Sequence, residues 1–318
     1  MTKPLSTKRE KIMTAKINLY GEELNTYKAN FHMHSTVSDG KLPLLDTVNL
    51  YREQGYDILA ATDHYVTNPV SEIDSGDLLL MSGMEFHPIG PRGMGLHFVA
   101  LNVPEDFQDP SRLAYQEAIE AVRKAGGECI LAHPYWSGFN CADIMKIKNL
   151  IAIEVYNTDT RYIGKGCSVQ TWDELLSQGY HLLGVAVDDT HNPRDFFGGW
   201  TMICAKEKTP AAVMDALKSG SLYASQGPDF HKLSFENNIF SVECSPCEEI
   251  IVMGNNAFGR CGNMSGFEAT TPEERNDTKE MTSFETEIPA DAGLTYLRCQ
   301  IRDQKGRYAW SSPIKLDK

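Results

Sequence analysis

Short apolar runs alternate with stretches of helical spacing from about residue 27 to residue 224. The runs fall at 29–34, 57–62, 78–85, 96–101, 128–132, 150–156, 181–187 and 201–205. Short apolar segments bounded by turn residues are what buried strands require. Between them Leu44, Leu45, Val48 and Tyr51 recur at helical spacing before Gly55. Ala114, Ala118, Val122 and Ala125 follow Ser111 and stop at Gly126-Gly127. Thr171-Trp-Asp-Glu174 reads as a capping box, and Thr209-Pro210 as a helix start with proline at its first position. This alternation predicts βα units, a mainly parallel sheet and, from the number of runs, a barrel of the TIM type.

After Gln226-Gly227-Pro228 the pattern changes. Leu297, Cys299 and Ile301 alternate with Arg298, Gln300 and Arg302, the period of a half-buried strand, and a turn at Asp303-Gln-Lys-Gly306 leads into 307–310. Residues 239–242, 250–253 and 284–288 read as further strands, and 273–277 as a polar loop. The chain is therefore expected to divide into an α/β unit over 1–228 and a small antiparallel β-sandwich over 229–318.

Composition narrows the function. The 318 residues carry 30 Lys+Arg against 43 Asp+Glu, a net charge of −13, which argues against general binding of nucleic acid because phosphate backbones are held by clustered cations. With 42% hydrophobic and 23% charged residues the chain is too apolar for disorder. No run approaches the ~18 apolar residues of a membrane span. The first residues are basic but lack the apolar core of a secretory leader, so a cytoplasmic protein is the expectation. The eight cysteines read as reduced thiols. Cys244-Ser-Pro-Cys247, Cys261 and Cys299 lack the second CxxC pair of a structural zinc site.

Metal-ligand residue types recur where strands end. His32-Met-His34 closes the first run, and period 2 puts both imidazoles on one face. Asp63-His64, Glu85, His133 and Asp189-Thr-His191 close later runs. In a βα barrel these ends share one face, where active sites are built.

With those residues in view, the chain resembles the PHP (polymerase and histidinol phosphatase) superfamily of metal-dependent phosphoesterases. The resemblance runs over about 28–225 and rests on Asn30-Phe-His-Met-His-Ser-Thr-Val-Ser-Asp-Gly40, Thr62-Asp-His64, Gly83-Met-Glu85, His97, Ala132-His-Pro134 and Asp189-Thr-His191. It implies a distorted (β/α)7 TIM-like barrel, one run fewer than the apolar pattern supplies, carrying two or three divalent transition metals. It further implies His32 and His34 on one metal, Asp39, His64 and His133 on a second, Glu85 as the bridging carboxylate with His97 at a third, and Asp189 with His191 completing the cluster. Of these, Asp189, His191, His64 and Glu85 are expected to carry catalysis. Tyr65 departs from the family, many members of which have Asp or Asn there.

Imidazole and carboxylate ligands together favour Mn, Fe or Zn over Mg or Ca. The reaction so implied is attack by a metal-bound hydroxide on a phosphomonoester or phosphodiester of a small or nucleotide-like molecule. Arg161, Lys165 and Arg194, in loops after strand ends, are the candidate ester clamp. Asp63 reads as a group that orients a ligand or caps its loop, Asp188 as one that points into barrel packing or supports the ligands, His87, on the strand face of Glu85, as a rival ligand or a packed or supporting histidine, and Trp136, Tyr135 and Tyr156 as packing or the wall of a base or sugar pocket. Rival readings are an amidohydrolase acting on amides or lactones, and a metal-containing binding protein without catalysis.

Overall fold

The computed structural model describes residues 15–262 and 280–316. The polar loop expected at 273–277 lies outside them. The first strands are β1 (Lys16–Leu19), β2 (Glu22–Asn30), β3 (Ile58–Ala61), β4 (Leu79–Phe86), β5 (Phe98–Leu101), β6 (Glu128–Leu131), β7 (Leu150–Asn157), β8 (Leu183–Val187) and β9 (Trp200–Ala205). Pairing runs β2-β3-β4-β5-β6-β7-β8. β5 is antiparallel to both neighbours, a departure from the expected parallel sheet. Its cause is a connection from Phe86 to Phe98 too short for a crossover helix, which forces the chain straight back.

The eighth apolar run, β9, is antiparallel to β2 and so lies outside the parallel series. The expected closed ladder does not form. β8 and β2 share no strand ladder; their continuations meet in one bridge, Met33 with Thr190, flanked by Asp189 N–H donating to the His32 carbonyl and His34 N–H to that of Thr190.

The helices are α1 (Leu44–Glu53), α2 (Tyr115–Lys124), α3 (Pro134–Ser137), α4 (Cys141–Ile144), α5 (Val169–Ser177) and α6 (Pro210–Ser219). Thr209 caps α6 as expected, accepting from the Ala212 N–H. The capping box read at Thr171 fails, because α5 begins two residues earlier. Ser111 caps no helix; its hydroxyl accepts from the His87 N–H.

The remaining strands are β10 (Leu222–Ser225), β11 (Phe230–Glu236), β12 (Ile239–Cys247), β13 (Glu249–Gly254), β14 (Gly259–Cys261), β15 (Met281–Glu287), β16 (Tyr296–Arg302), β17 (Tyr308–Ser311) and β18 (Ile314–Lys315). All their mutual pairings are antiparallel, as the alternating pattern requires. They are nevertheless continuous with the earlier strands: β10 joins β9 to β17, and β1 lies parallel to β11. The core is shared across them as well. One apolar cluster gathers Ile17, Met202 and Tyr223 with Phe240, Val252, Leu297 and Ile301, while Trp172, Leu175 and Leu176 of α5 pack with β4 to β7. Among the described residues no helix is long and apolar enough to cross a membrane.

Candidate metal centre

The Asn30–Lys41 segment enters the site as a turn held from below. Asp63 is fully buried and accepts from the Ser35 N–H (2.7 Å) and hydroxyl (2.7 Å), the Ser38 N–H (3.2 Å) and hydroxyl (2.6 Å), and Asn68 (2.8 Å). Burial opposes its charge, but these donors hold its carboxyl below the usual range. Gly40 is required where the turn closes, since a Cβ there would lie 2.4 Å from the His34 carbonyl oxygen. Asp188 does the same on the facing loop, accepting from the Tyr51 and Thr158 hydroxyls and the N–H groups of Phe197, Gly198 and Gly199. Both aspartates thus position loops, as expected for them.

Glu85, the penultimate residue of β4, is 1% exposed and sits among six imidazoles. Its Oε2 lies 3.2 Å from Nε2 of His32, 3.2 Å from Nε2 of His34 and 3.0 Å from Nδ1 of His64. Its Oε1 lies 2.8 Å from Nδ1 of His97, 3.3 Å from Nε2 of His133 and 3.4 Å from Nε2 of His87. Asp189 Oδ1 lies 3.2 and 3.1 Å from Nε2 of His32 and His34, which are themselves 3.1 Å apart. Asp39 Oδ1 lies 3.5 Å from Nε2 of His191 and 3.7 Å from Nδ1 of His34, with its Oδ2 3.5 Å from Nε2 of His64.

All nine candidate ligands are thereby brought together: His32, His34, Glu85 and Asp189 in one group, Glu85, His97 and His133 in a second, and His34, Asp39, His64 and His191 in a third. One expectation is corrected. His133 joins Glu85 and His97, not Asp39 and His64, because it follows β6, next to β5 and across the cluster from the Asp39 turn.

The first group tests whether a cation fits. A tetrahedral ion with bonds of ~2.0–2.1 Å has ligand-to-ligand edges of about 3.3 Å. Five edges among these four atoms measure 3.1–3.2 Å. His64 Nδ1 and His87 Nε2 are also buried without a hydrogen-bond partner. Unpaired lone pairs converging at this spacing are costly without a positive charge between them, so the donor set fits divalent transition metals.

Electrostatics agree. Burial would raise Glu85 and Asp189, but the charge of His32 and hydrogen bonds from neighbouring imidazoles hold both well below the carboxylate range. Burial would lower His34, but hydrogen bonds to Asp189 and Glu85 push it up to about 9. His97 is lowered, chiefly by burial. Two of the candidate ligands have left-handed backbones, His133 at φ 26° and Asp189 at φ 54°, strain of the kind found where side chains must be aimed.

Several participants escaped sequence reading. Glu154, in the middle of β7, accepts the His133 N–H (2.8 Å) and lies 2.7 Å from His32 Nδ1. Asn157 donates to both Glu154 (2.9 Å) and Asp189 (3.0 Å). Asp159 groups with Asp189 and His191, and is pushed up to about 6 by burial and by the charges of Asp189 and Asp195. The only mark the first two leave in the sequence is their polarity within an apolar run.

A cavity of about 510 Å³ opens on the cluster, lined also by Lys41, Trp136, Thr160 and Asn192. Arg161, Lys165 and Arg194 do not line it. Arg161 and Arg194 stack on the Tyr162 ring, and Lys165 lies over Tyr135, so aromatic faces take these cations. The basic side chain in the lining is Lys41, two residues past Asp39.

No family model matches the chain, and no curated protein matches it. Among solved structures it is similar to a two-domain protein containing a predicted PHP-like metal-dependent phosphoesterase from Bacteroides vulgatus: 16% identity, TM-score 0.51, covering 92% of this chain and 95% of that one. Weaker likenesses are to a lesion-specific endonuclease from Pyrococcus furiosus (11% identity, TM-score 0.44, covering 84% of this chain and 74% of that one) and an amidohydrolase from Chromobacterium violaceum (15%, 0.42, 52% and 88%). The first similarity establishes a shared fold over nearly the whole chain.

Proposed function

We propose that this protein is a hydrolase of phosphate esters that works with two or three divalent transition metals, Mn, Fe or Zn. The observation that carries the reading is the set of four buried atoms from His32, His34, Glu85 and Asp189, spaced at 3.1–3.2 Å. His32, His34, Glu85 and Asp189 would hold one ion, Glu85, His97 and His133 a second, and His64, Asp39 and His191 a third. When bound, such ions withdraw charge from phosphoryl oxygens and acidify water, at the bottom of a cavity otherwise rich in acids.

The chain's own groups do the rest. Glu154 fixes the His32 ring through Nδ1, so that Nε2 faces the cluster. Asn157 steadies Asp189. Lys41, held by its N–H on the His191 carbonyl (2.9 Å), offers a positive charge to an ester oxygen, and Trp136, 42% exposed, lines the same cavity. The same reading takes β2 to β8 as the strands of a distorted (β/α)7 barrel, 1–228 as the phosphoesterase unit and 229–318 as a β unit packed on it. A small phosphorylated substrate suits a cavity of this size.

The test is turnover of an aryl phosphate, a lactone and an amide by protein stripped with chelator and reloaded with Mn, Fe or Zn. Phosphatase activity dependent on reloading is expected. Amide or lactone turnover without it would establish the amidohydrolase class instead, and bound metal with no turnover a binding protein.

A further inference from the structure

His87 is not among the residues assigned above, and its surroundings are those of a ligand. Its ring stacks on His97 with centroids 3.6 Å apart, which points Nε2 at Glu85 Oε1, 3.4 Å away. On the other side of the same carboxylate His64 Nδ1 lies 3.0 Å from Oε2. Both nitrogens are buried and neither has a hydrogen-bond partner. The opposite nitrogen of His87, Nδ1, lies 2.6 Å from the Tyr65 hydroxyl, whose residue is held at φ 62°. A Nδ1–H donating to that hydroxyl leaves the lone pair on Nε2, the tautomer a metal requires.

We propose that Glu85, His64 Nδ1 and His87 Nε2 form a further cation position, with Tyr65 as the positioning residue that fixes the His87 tautomer. The three residues each offer a ligand atom within 4.8 Å of the others. The inference rests on the metal-centre reading above and extends it. A neutral imidazole has one free lone pair, and His64 also presents Nε2 to Asp39 at 3.5 Å. His64 therefore serves one position at a time, and the cation it holds has two resting places, one against Asp39 and one against His87.

Metal analysis of cobalt-loaded, gel-filtered protein tests this, with circular dichroism to establish that each variant is folded. Asp39→Ala should retain the parent's metal content, its cation passing to the His87 position. Asp39→Ala combined with His87→Phe, which keeps a ring against His97, should hold one ion fewer. Should the double variant not fold, Tyr65→Phe in the Asp39→Ala background replaces it, with an expected weakening of one ion by roughly 10–100-fold. Equal metal content in Asp39→Ala and the double variant, or loss of an ion already in Asp39→Ala, overturns the proposal. A parent that holds no cobalt overturns the underlying metal-centre reading instead.

Discussion

At the scale of single residues the site depends on negative charge buried among imidazoles. Asp189→Ala removes one corner of the four-atom group, and we expect bound metal and phosphatase turnover to fall together, by about 100-fold or more, with the circular-dichroism spectrum unchanged. Glu154→Gln keeps the shape beside His32 but not the charge. Metal affinity, read by competition with a chromophoric chelator, should weaken by roughly 10–100-fold. The proton balance gives a third expectation. Without a cation His34 keeps its proton up to about 9, held by Asp189 and Glu85 against the effect of burial. A metal must displace that proton, so apparent affinity should rise as pH climbs toward about 9 and level off above it. Calorimetric titration in buffers of different ionisation enthalpy should report protons released at pH 7; none released would contradict the raised value.

At the scale of elements, the aim of Glu85 depends on how closely β4 meets its neighbours. A Cβ at Gly83 would lie 2.8 Å from the Ala100 carbonyl oxygen on β5 and 2.8 Å from Thr62 Cγ2 after β3. Backbone cannot yield as a flexible side chain can, so Gly83→Ala should separate β4 from β5 and displace Glu85 two residues on. The expected readouts are a lowered melting temperature and a loss of bound metal larger than the loss of helicity. Melting lowered with metal content intact would show that β4 relaxes without moving the carboxylate.

At the scale of the whole molecule, the two parts of the chain are tied by an ion pair whose arginine is buried and whose aspartate is half-buried. Arg298 on β16 is 1% exposed, donates through Nε and Nη2 to Asp173 of α5 at 2.7 and 2.6 Å, and lies over the Trp172 ring. Asp173→Ala would leave the buried guanidinium with only a long contact to Gln300 and the face of the Trp172 ring. Breaking a fully buried pair costs about 3–5 kcal/mol and this one, with its carboxylate 31% exposed, less; the urea midpoint should still fall, and further than in Arg298→Met, which removes the charge itself. Equal effects would mean that the arginine is solvated after the aspartate is removed.

What the order of residues determined by itself was local. Apolar runs placed β3, β4, β6, β7 and β8 because a buried strand must exclude polar side chains over several residues, and the period-2 placement of His32 and His34 put both on the cluster side of Phe31 and Met33, which are fully buried. Family motifs supplied His97, whose strand-start position no periodicity would single out. Tertiary structure alone decided the rest. The antiparallel turn of β5, the pairing of His133 with His97, the entry of Glu154 and Lys41 and the diversion of Arg161, Lys165 and Arg194 to aromatic rings all depend on which strand ends become neighbours. Contacts between residues tens to more than a hundred positions apart leave no mark on the local alternation of apolar and polar side chains, which records only whether a residue is buried and not what it meets there.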